Sequence, residues 1–210
     1  MKYKINIHAH TIFSDGYNSP YMMALKAKEL GFASLVITDH YYGRKSTHCL
    51  SKLKYALLKK ACQEAKSILP IILGIEYTYM NEEILVFGSA FINKILSADM
   101  DSDKPDMATM LEWKRIHNGA CILCHPRRPK NWKNLRPLLD GFERYNSGCD
   151  MFARNRAFCS LQNLPGWCNS DAHGEKVLDW CYNIVDSNIE TEGDLIKYIK
   201  RGKQPEFFVK

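Results

Sequence analysis

The chain has 210 residues, 46% hydrophobic and 25% charged, with a formal net charge of +6. Such a composition fits one ordinary globular core and excludes a disordered or fibrous chain. No stretch approaches 18 apolar residues and no charged-then-apolar leader opens the chain, so a single cytoplasmic domain over 1–210, without membrane span or secretory signal, is expected.

Residues 3–7 predict a strand that delivers His8 at its end. Ser19-Pro20 reads as an N-cap with proline at the first helical position, opening a helix that stops at Gly31. Residues 33–38 predict the next strand, followed by Asp39-His40. Leu50, Leu53, Leu57, Leu58, Ala61 and Ala65 stand at helical spacing and predict a helix over 46–67, ended by Pro70. Residues 71–75 predict a buried strand carrying Glu76, and 83–88 another. A helix over 103–118 is expected, with Gly119 as its stop. Residues 120–124 then deliver His125, and 141–145 deliver Asn146. A helix over 151–164 precedes a strand at 166–169 that leads to Asp171. Thr191 opens the last helix, with Asp194 completing an imperfect capping box, and 206–209 predict a short closing strand. Strands alternating with helices imply an α/β fold with a largely parallel sheet in six or seven units. Ligand-type residues come from too many strand ends for one switch-point crevice, which favours an irregular barrel with its site at one mouth.

The eight cysteines are expected to be reduced, buried small hydrophobes rather than disulfides. Cys121 and Cys124 resemble half of a zinc site, but no second pair follows. A strand would also turn their side chains to opposite faces. The positive charge is concentrated between His125 and Arg156, with eight Lys/Arg against three Asp/Glu. A solvated basic face and a rim attracting phosphorylated substrates both fit, and charge does not separate a nucleotide from a polymer.

Metal-type ligands recur at the strand ends. His8 and His10, at i and i+2 on a strand, point to one side and can grip one ion. Asp171 and His173 repeat that spacing near the other end of the chain. His40 directly follows a strand, Asp15 sits on a Ser-Asp-Gly turn, and the two oxygens of Glu76 can bridge two ions. Imidazole with carboxylate suits zinc, manganese or iron. Any one of these residues alone is more often a cap or a hydrogen-bonding partner; their conjunction points to a multi-metal pocket.

These motifs resemble the PHP (polymerase and histidinol phosphatase) family. His8-Ala9-His10-Thr11 through Ser14-Asp15-Gly16 is similar to its first motif and Ile37-Thr38-Asp39-His40 to its second. Gly74-Ile75-Glu76 and Cys124-His125-Pro126 resemble the third, and Asn169-Ser170-Asp171-Ala172-His173 the last. The likeness covers residues 3–173 and implies a distorted (β/α)7 TIM-like barrel, with two or three divalent ions at the C-terminal ends of the strands. It implies that His8, His10, Glu76 and Asp171 hold the first metal. Glu76 would bridge to a second with His125, and Asp15, His40 and His173 would hold a third. Eight of nine family positions match. The ninth, usually histidine, is replaced by a carboxylate, Glu83, with Glu82 as the competitor. Asn146 resembles an asparagine near family active sites and serves equally as a turn former; it is counted as a substrate-binding candidate with Arg127 and Arg128, whose forks suit a phosphate.

The implied activity is metal-dependent hydrolysis of a phosphomonoester or terminal phosphodiester of a small metabolite or nucleotide, with Asp171, His173 and Arg127 as catalytic candidates. The small size favours a free-standing phosphatase over a polymerase-associated domain. The alternative is a non-catalytic metal-binding module whose basic rim holds a partner or nucleic acid. Aromatics within the basic stretch are as easily explained by packing.

Overall fold

The computed structural model describes residues 1–42, 49–98, 104–126, 134–147 and 163–210. Among them, ten strands form one mixed sheet: β1 Tyr3–Asn6, β2 Ser34–Ile37, β3 His40–Tyr41, β4 Ile71–Tyr79, β5 Glu82–Phe87, β6 Ala120–Leu123, β7 Gly141–Asn146, β8 Gly166–Asn169, β9 Cys181–Val185 and β10 Glu206–Val209. The helices are α1 Pro20–Glu29, α2 Lys52–Ala65, α3 Ser89–Ala98, α4 Met107–Ile116 and α5 Glu192–Lys200. No described helix is long and apolar enough to cross a membrane.

The sheet runs β10-β9-β1-β2-β4-β5-β6-β7-β8, with β3 paired to β4 beyond β2. It curls into a nearly closed barrel, as the TIM-like expectation requires. The sheet is more mixed than the alternation implied. β4 and β5 form an antiparallel hairpin, and β9 joins β1 and β10 antiparallel. The hairpin turns in two residues, Met80 and Asn81, both at positive φ, as a tight primed turn demands.

The last gap, between β8 and β9, is closed by side chains. Asn183 is buried; its Oδ1 accepts from Cys168 N at 2.8 Å and its Nδ2 donates to Cys168 O at 2.7 Å. That amide imitates one rung of a ladder. Sequence reading left β9 unassigned because this polar residue breaks its apolar run. Higher in the barrel, a bridge between Ala9 and Ala172, with His10 N donating to Ala172 O at 2.9 Å, ties the first and last motifs together.

Two apolar layers hold this shape. Inside the barrel, Ile5, Val36, Ile72, Leu85, Phe87 and Ile122 cluster with Leu195, Ile196 and Ile199 of α5. That helix therefore plugs the end opposite the ligands. Its cap is a complete box, with Thr191 Oγ1 accepting from Asp194 N and Asp194 Oδ2 accepting from Thr191 N. Outside, Leu35, Ile37, Ile75, Val86 and Leu123 meet the inner faces of the other helices. Cys121 belongs to the outer cluster and Cys124 to the inner one, the opposite-face placement that strand alternation predicts. The six described cysteines are buried with free thiols.

Element boundaries shift for local reasons. The helix expected over 46–67 begins at Lys52, where Ser51 Oγ accepts from Lys54 N; residues 46–48 lie outside the described residues. The helix expected over 103–118 begins at Met107, capped by Asp106, and Asn118 rather than Gly119 takes the left-handed position at its end. Gly119 is needed for another reason: a Cβ there would lie 2.3 Å from the Phe91 ring. Helix α3 was not anticipated. Its first amide, Ser89 N, is capped by Glu192 Oε2 at 2.8 Å, a partner 103 residues away that no local pattern reveals. The helix expected over 151–164 falls almost wholly outside the described residues.

Candidate metal centre

The upper ends of the strands deliver ten imidazole and carboxylate side chains to one place. The loop after β1 is held in shape by Asp39, whose carboxylate is fully buried and accepts from Thr11 N, Thr11 Oγ1 and Ser14 Oγ at 2.6–2.8 Å. Gly16 lets that loop fold back on itself, because a Cβ there would lie 2.6 Å from the His10 carbonyl carbon. The loop thus turns the Asp15 carboxylate back towards His10, His40 and His173.

Four ligand atoms meet at one point: His8 Nε2, His10 Nε2, Glu76 Oε2 and Asp171 Oδ1. The two nitrogens are 3.0 Å apart, and each lies 3.0–3.3 Å from both oxygens. A tetrahedral ion about 2 Å from each ligand would set its ligands about 3.3 Å apart. Asp171 Oδ1 is buried and accepts no hydrogen bond among the described residues. The residues therefore fit a cation.

The second set uses the other oxygens of the same carboxylates. His125 Nε2 lies 3.0 Å from Glu76 Oε1, 3.5 Å from Glu83 Oε2 and 3.9 Å from Asp171 Oδ2. Glu76 can bridge, and so can Asp171. Glu83 reaches this set, while Glu82, adjacent on β5, alternates to the opposite face. In the third set, Asp15 Oδ2 is 3.4 Å from His40 Nε2 and 3.3 Å from His173 Nε2. The His10 ring is stacked between His40 and His173, at 4.4 and 4.3 Å between centroids.

Beneath these sets lies Glu143, a role that sequence reading missed. Its Oε1 accepts from His8 Nδ1 at 2.7 Å and Asn169 Nδ2 at 2.8 Å, and its Oε2 from His125 N and Asn146 Nδ2 at 2.8 and 2.7 Å. It fixes the ring of one ligand and the backbone of another. The available signal was a lone carboxylate in an otherwise apolar strand start, Gly141-Phe142-Glu143. Asp171 adopts φ 50°, in a region that short polar side chains tolerate.

The electrostatics are those of a centre balanced by protons. Burial alone would raise the Glu76 carboxyl, but the His8 charge and hydrogen bonds with His10, His125 and His40 hold it well below its ordinary range. Burial opposes Asp171 and Asp15 in the same way, and neighbouring imidazoles pull both far down. Conversely, burial disfavours a protonated His40, yet Asp15 and Glu76 lift it to about 10. His8, His125 and His173 are raised against burial by the same carboxylates. The raised imidazoles lie against Asp15, Glu76 and Asp171, where divalent cations would supply the same positive charge.

Residues 6–156 match the family model of the PHP domain. The chain belongs to the PHP family. Solved structures share the PHP fold at low identity. A two-domain protein from Bacteroides vulgatus, containing a predicted PHP-like metal-dependent phosphoesterase, is 13% identical with a TM-score of 0.67; the alignment covers 100% of this chain and 65% of that one. PsfC from Pseudomonas syringae is 16% identical, with a TM-score of 0.63 and coverage of 100% and 92%. The lesion-specific endonuclease from Pyrococcus furiosus is 16% identical, with a TM-score of 0.60 and coverage of 99% and 58%. The chain therefore spans less than two thirds of the first and last of these proteins. No curated protein matches it.

Within this PHP site the structure brings together His8, His10, Asp15, His40, Glu76, Glu83, His125, Asp171 and His173. Asn146 is buried against Glu143. Arg127 and Arg128 lie outside the described residues, as do Lys130, Lys133, Arg154 and Arg156 of the same basic stretch.

Proposed function

We propose that the chain is a metal-dependent phosphoesterase that hydrolyses a phosphomonoester or terminal phosphodiester of a small substrate. The observation that carries this reading is the sharing of Glu76 and Asp171: each presents one oxygen to the first ligand set and the other to the second. Such sharing would suit two divalent cations, which can assist in-line displacement at phosphorus. Zinc, manganese and iron all suit the donors. Divalent cations held there supply Lewis acidity and a water that becomes nucleophilic near neutral pH.

The chain's own residues set the geometry. Glu143 Oε1 accepts from His8 Nδ1, so once the ring is neutral its Nε2 lone pair would face the other ligands. Asp171 O accepts from His173 Nδ1 at 2.9 Å, so His173 Nε2 faces Asp15. His173 is the most exposed of the site imidazoles, at 35%, and with Asp171 it lines the adjoining cavity. Of the catalytic candidates, these two border the cavity open to a substrate. Hydrolysis forms a phosphorus–oxygen bond from water and breaks the ester bond, and the leaving oxygen takes up a proton. Arg127 and Arg128 are the candidates to neutralise the non-bridging oxygens, while Asn146, expected as a substrate-binding residue, is fully buried and donates to Glu143, a position that suits steadying that carboxylate. The site draws on residues 8 through 173, which supports reading the chain as one domain.

The test is turnover of p-nitrophenyl phosphate and bis-p-nitrophenyl phosphate with Mn²⁺ or Zn²⁺, against chelator. His8→Ala, Glu76→Ala and Asp171→Ala should each abolish it. Metal binding without turnover by any metal would overturn the reading in favour of a binding module.

A further inference from the structure

A cavity of about 610 Å³ opens beside Asp171 and His173. Its volume is that of a small-ligand pocket. Two aromatic side chains line it, Trp180 at 44% exposed and Tyr17 at 83% exposed. Lys176 is the cation among its described lining residues.

Trp180 is exposed without being loosely held. Its amide donates to Val177 O at 3.2 Å, and its carbonyl accepts from Lys210 N at 2.9 Å. On either side, the carbonyls of Leu178 and Cys181 accept from the buried Asn6 amide at 3.3 and 3.0 Å. Leu178 itself is fully buried. The backbone that carries the indole is therefore held in place beside the cavity that Asp171 and His173 also line. Tyr17 is tied to the same place, since its amide donates to His173 O at 2.8 Å. Asn18 Oδ1 is occupied by Glu175 N at 3.2 Å.

We infer that this cavity is the base-binding subsite for a mononucleotide, whose nucleobase stacks on the Trp180 indole while its phosphate reaches the ligand sets at Asp171 and His173. The inference rests on the phosphoesterase reading for the placement of the phosphate. A planar base suits the exposed indole, because every base has a π-face to stack. A bare sugar phosphate would need several free side-chain partners for its hydroxyls, whereas Asn18 Oδ1 accepts from Glu175 N, Ser147 Oγ donates to Ser170 O and Ser170 Oγ accepts from Asn6 Nδ2.

The experiment compares adenosine monophosphate with ribose 5-phosphate, which lacks the base, by equilibrium dialysis, by quenching of tryptophan emission and by turnover of the metal-loaded protein. Adenosine monophosphate should bind about tenfold more tightly and quench emission. Trp180→Ala should lower its affinity about tenfold more than that of ribose 5-phosphate, and Trp180→Phe should restore most of the difference. Equal affinity for the two ligands, or equal losses in Trp180→Ala, would overturn the inference. So would tight binding of a short single-stranded oligonucleotide without the mononucleotide. Hydrolysis of both esters with no Trp180 dependence would sink the subsite and leave the phosphoesterase reading standing. Trp180-dependent binding with no hydrolysis by any metal would do the reverse.

Discussion

Glu143→Gln is the sharpest probe of how the centre is held. The carboxylate is fully buried and accepts from four donors, two on each oxygen. Glutamine keeps the shape but replaces one oxygen with an NH₂ group. Whichever way the amide turns, two of those four donors then face a donor. A buried donor left without an acceptor costs about 1–3 kcal/mol, so the variant should lose about 2–6 kcal/mol of stability. That is a large share of a typical total of about 5–15 kcal/mol. With the NH₂ turned towards His8, Nδ1 can no longer donate and the ring loses the tautomer that frees Nε2. Loss of such an outer partner costs about 10–100-fold in metal affinity. The measurements are thermal melting of the chelated protein and zinc affinity by competition with a chromophoric chelator. A variant with unchanged melting and unchanged affinity would refute the role assigned to Glu143.

Three further outcomes follow from particular contacts. Metal loading near pH 7 should release protons, because His8, His40, His125 and His173 are raised and hold protons that a cation must displace. With His40 at about 10, apparent affinity should keep rising with pH well above 7. Calorimetry in two buffers of different ionisation enthalpy measures the release, and loading without it would contradict the charge balance. Asn183→Ala removes both bonds to Cys168 and one to Asn169 and should cost about 2–4 kcal/mol, read as a lower denaturant midpoint; a midpoint within error of the parent would show that the seam closes without it. Gly16→Ala drives a methyl group into the His10 backbone and should cost about 1–3 kcal/mol. It should also weaken the Asp15 set selectively, visible as a fall in metal stoichiometry by elemental analysis with the other sites retained.

Much of the site was legible in the sequence because its chemistry is local. The i, i+2 spacings of His8 with His10 and of Asp171 with His173 state which side chains share a face, and His8, His40, Glu76 and His125 follow recognisable apolar runs. The α1 and α5 starts were readable for the same reason, since Ser19 and Thr191 cap amides only a few residues away. Helix α3 and strand β9 were not, because Glu192 and Cys168, their decisive partners, are remote in sequence.

The order and type of the ligands were therefore properties of the chain itself. Which oxygen serves which set, that Asp171 can bridge as Glu76 can, and that Glu83 rather than Glu82 faces His125 were decided only in three dimensions. The same holds for Glu143, whose function exists only where β7 passes beneath His8 and His125. A spacing rule reports which residues share a face. It carries no information about donors brought to one buried carboxylate from four separate segments, because that arrangement is fixed by the closing of the barrel.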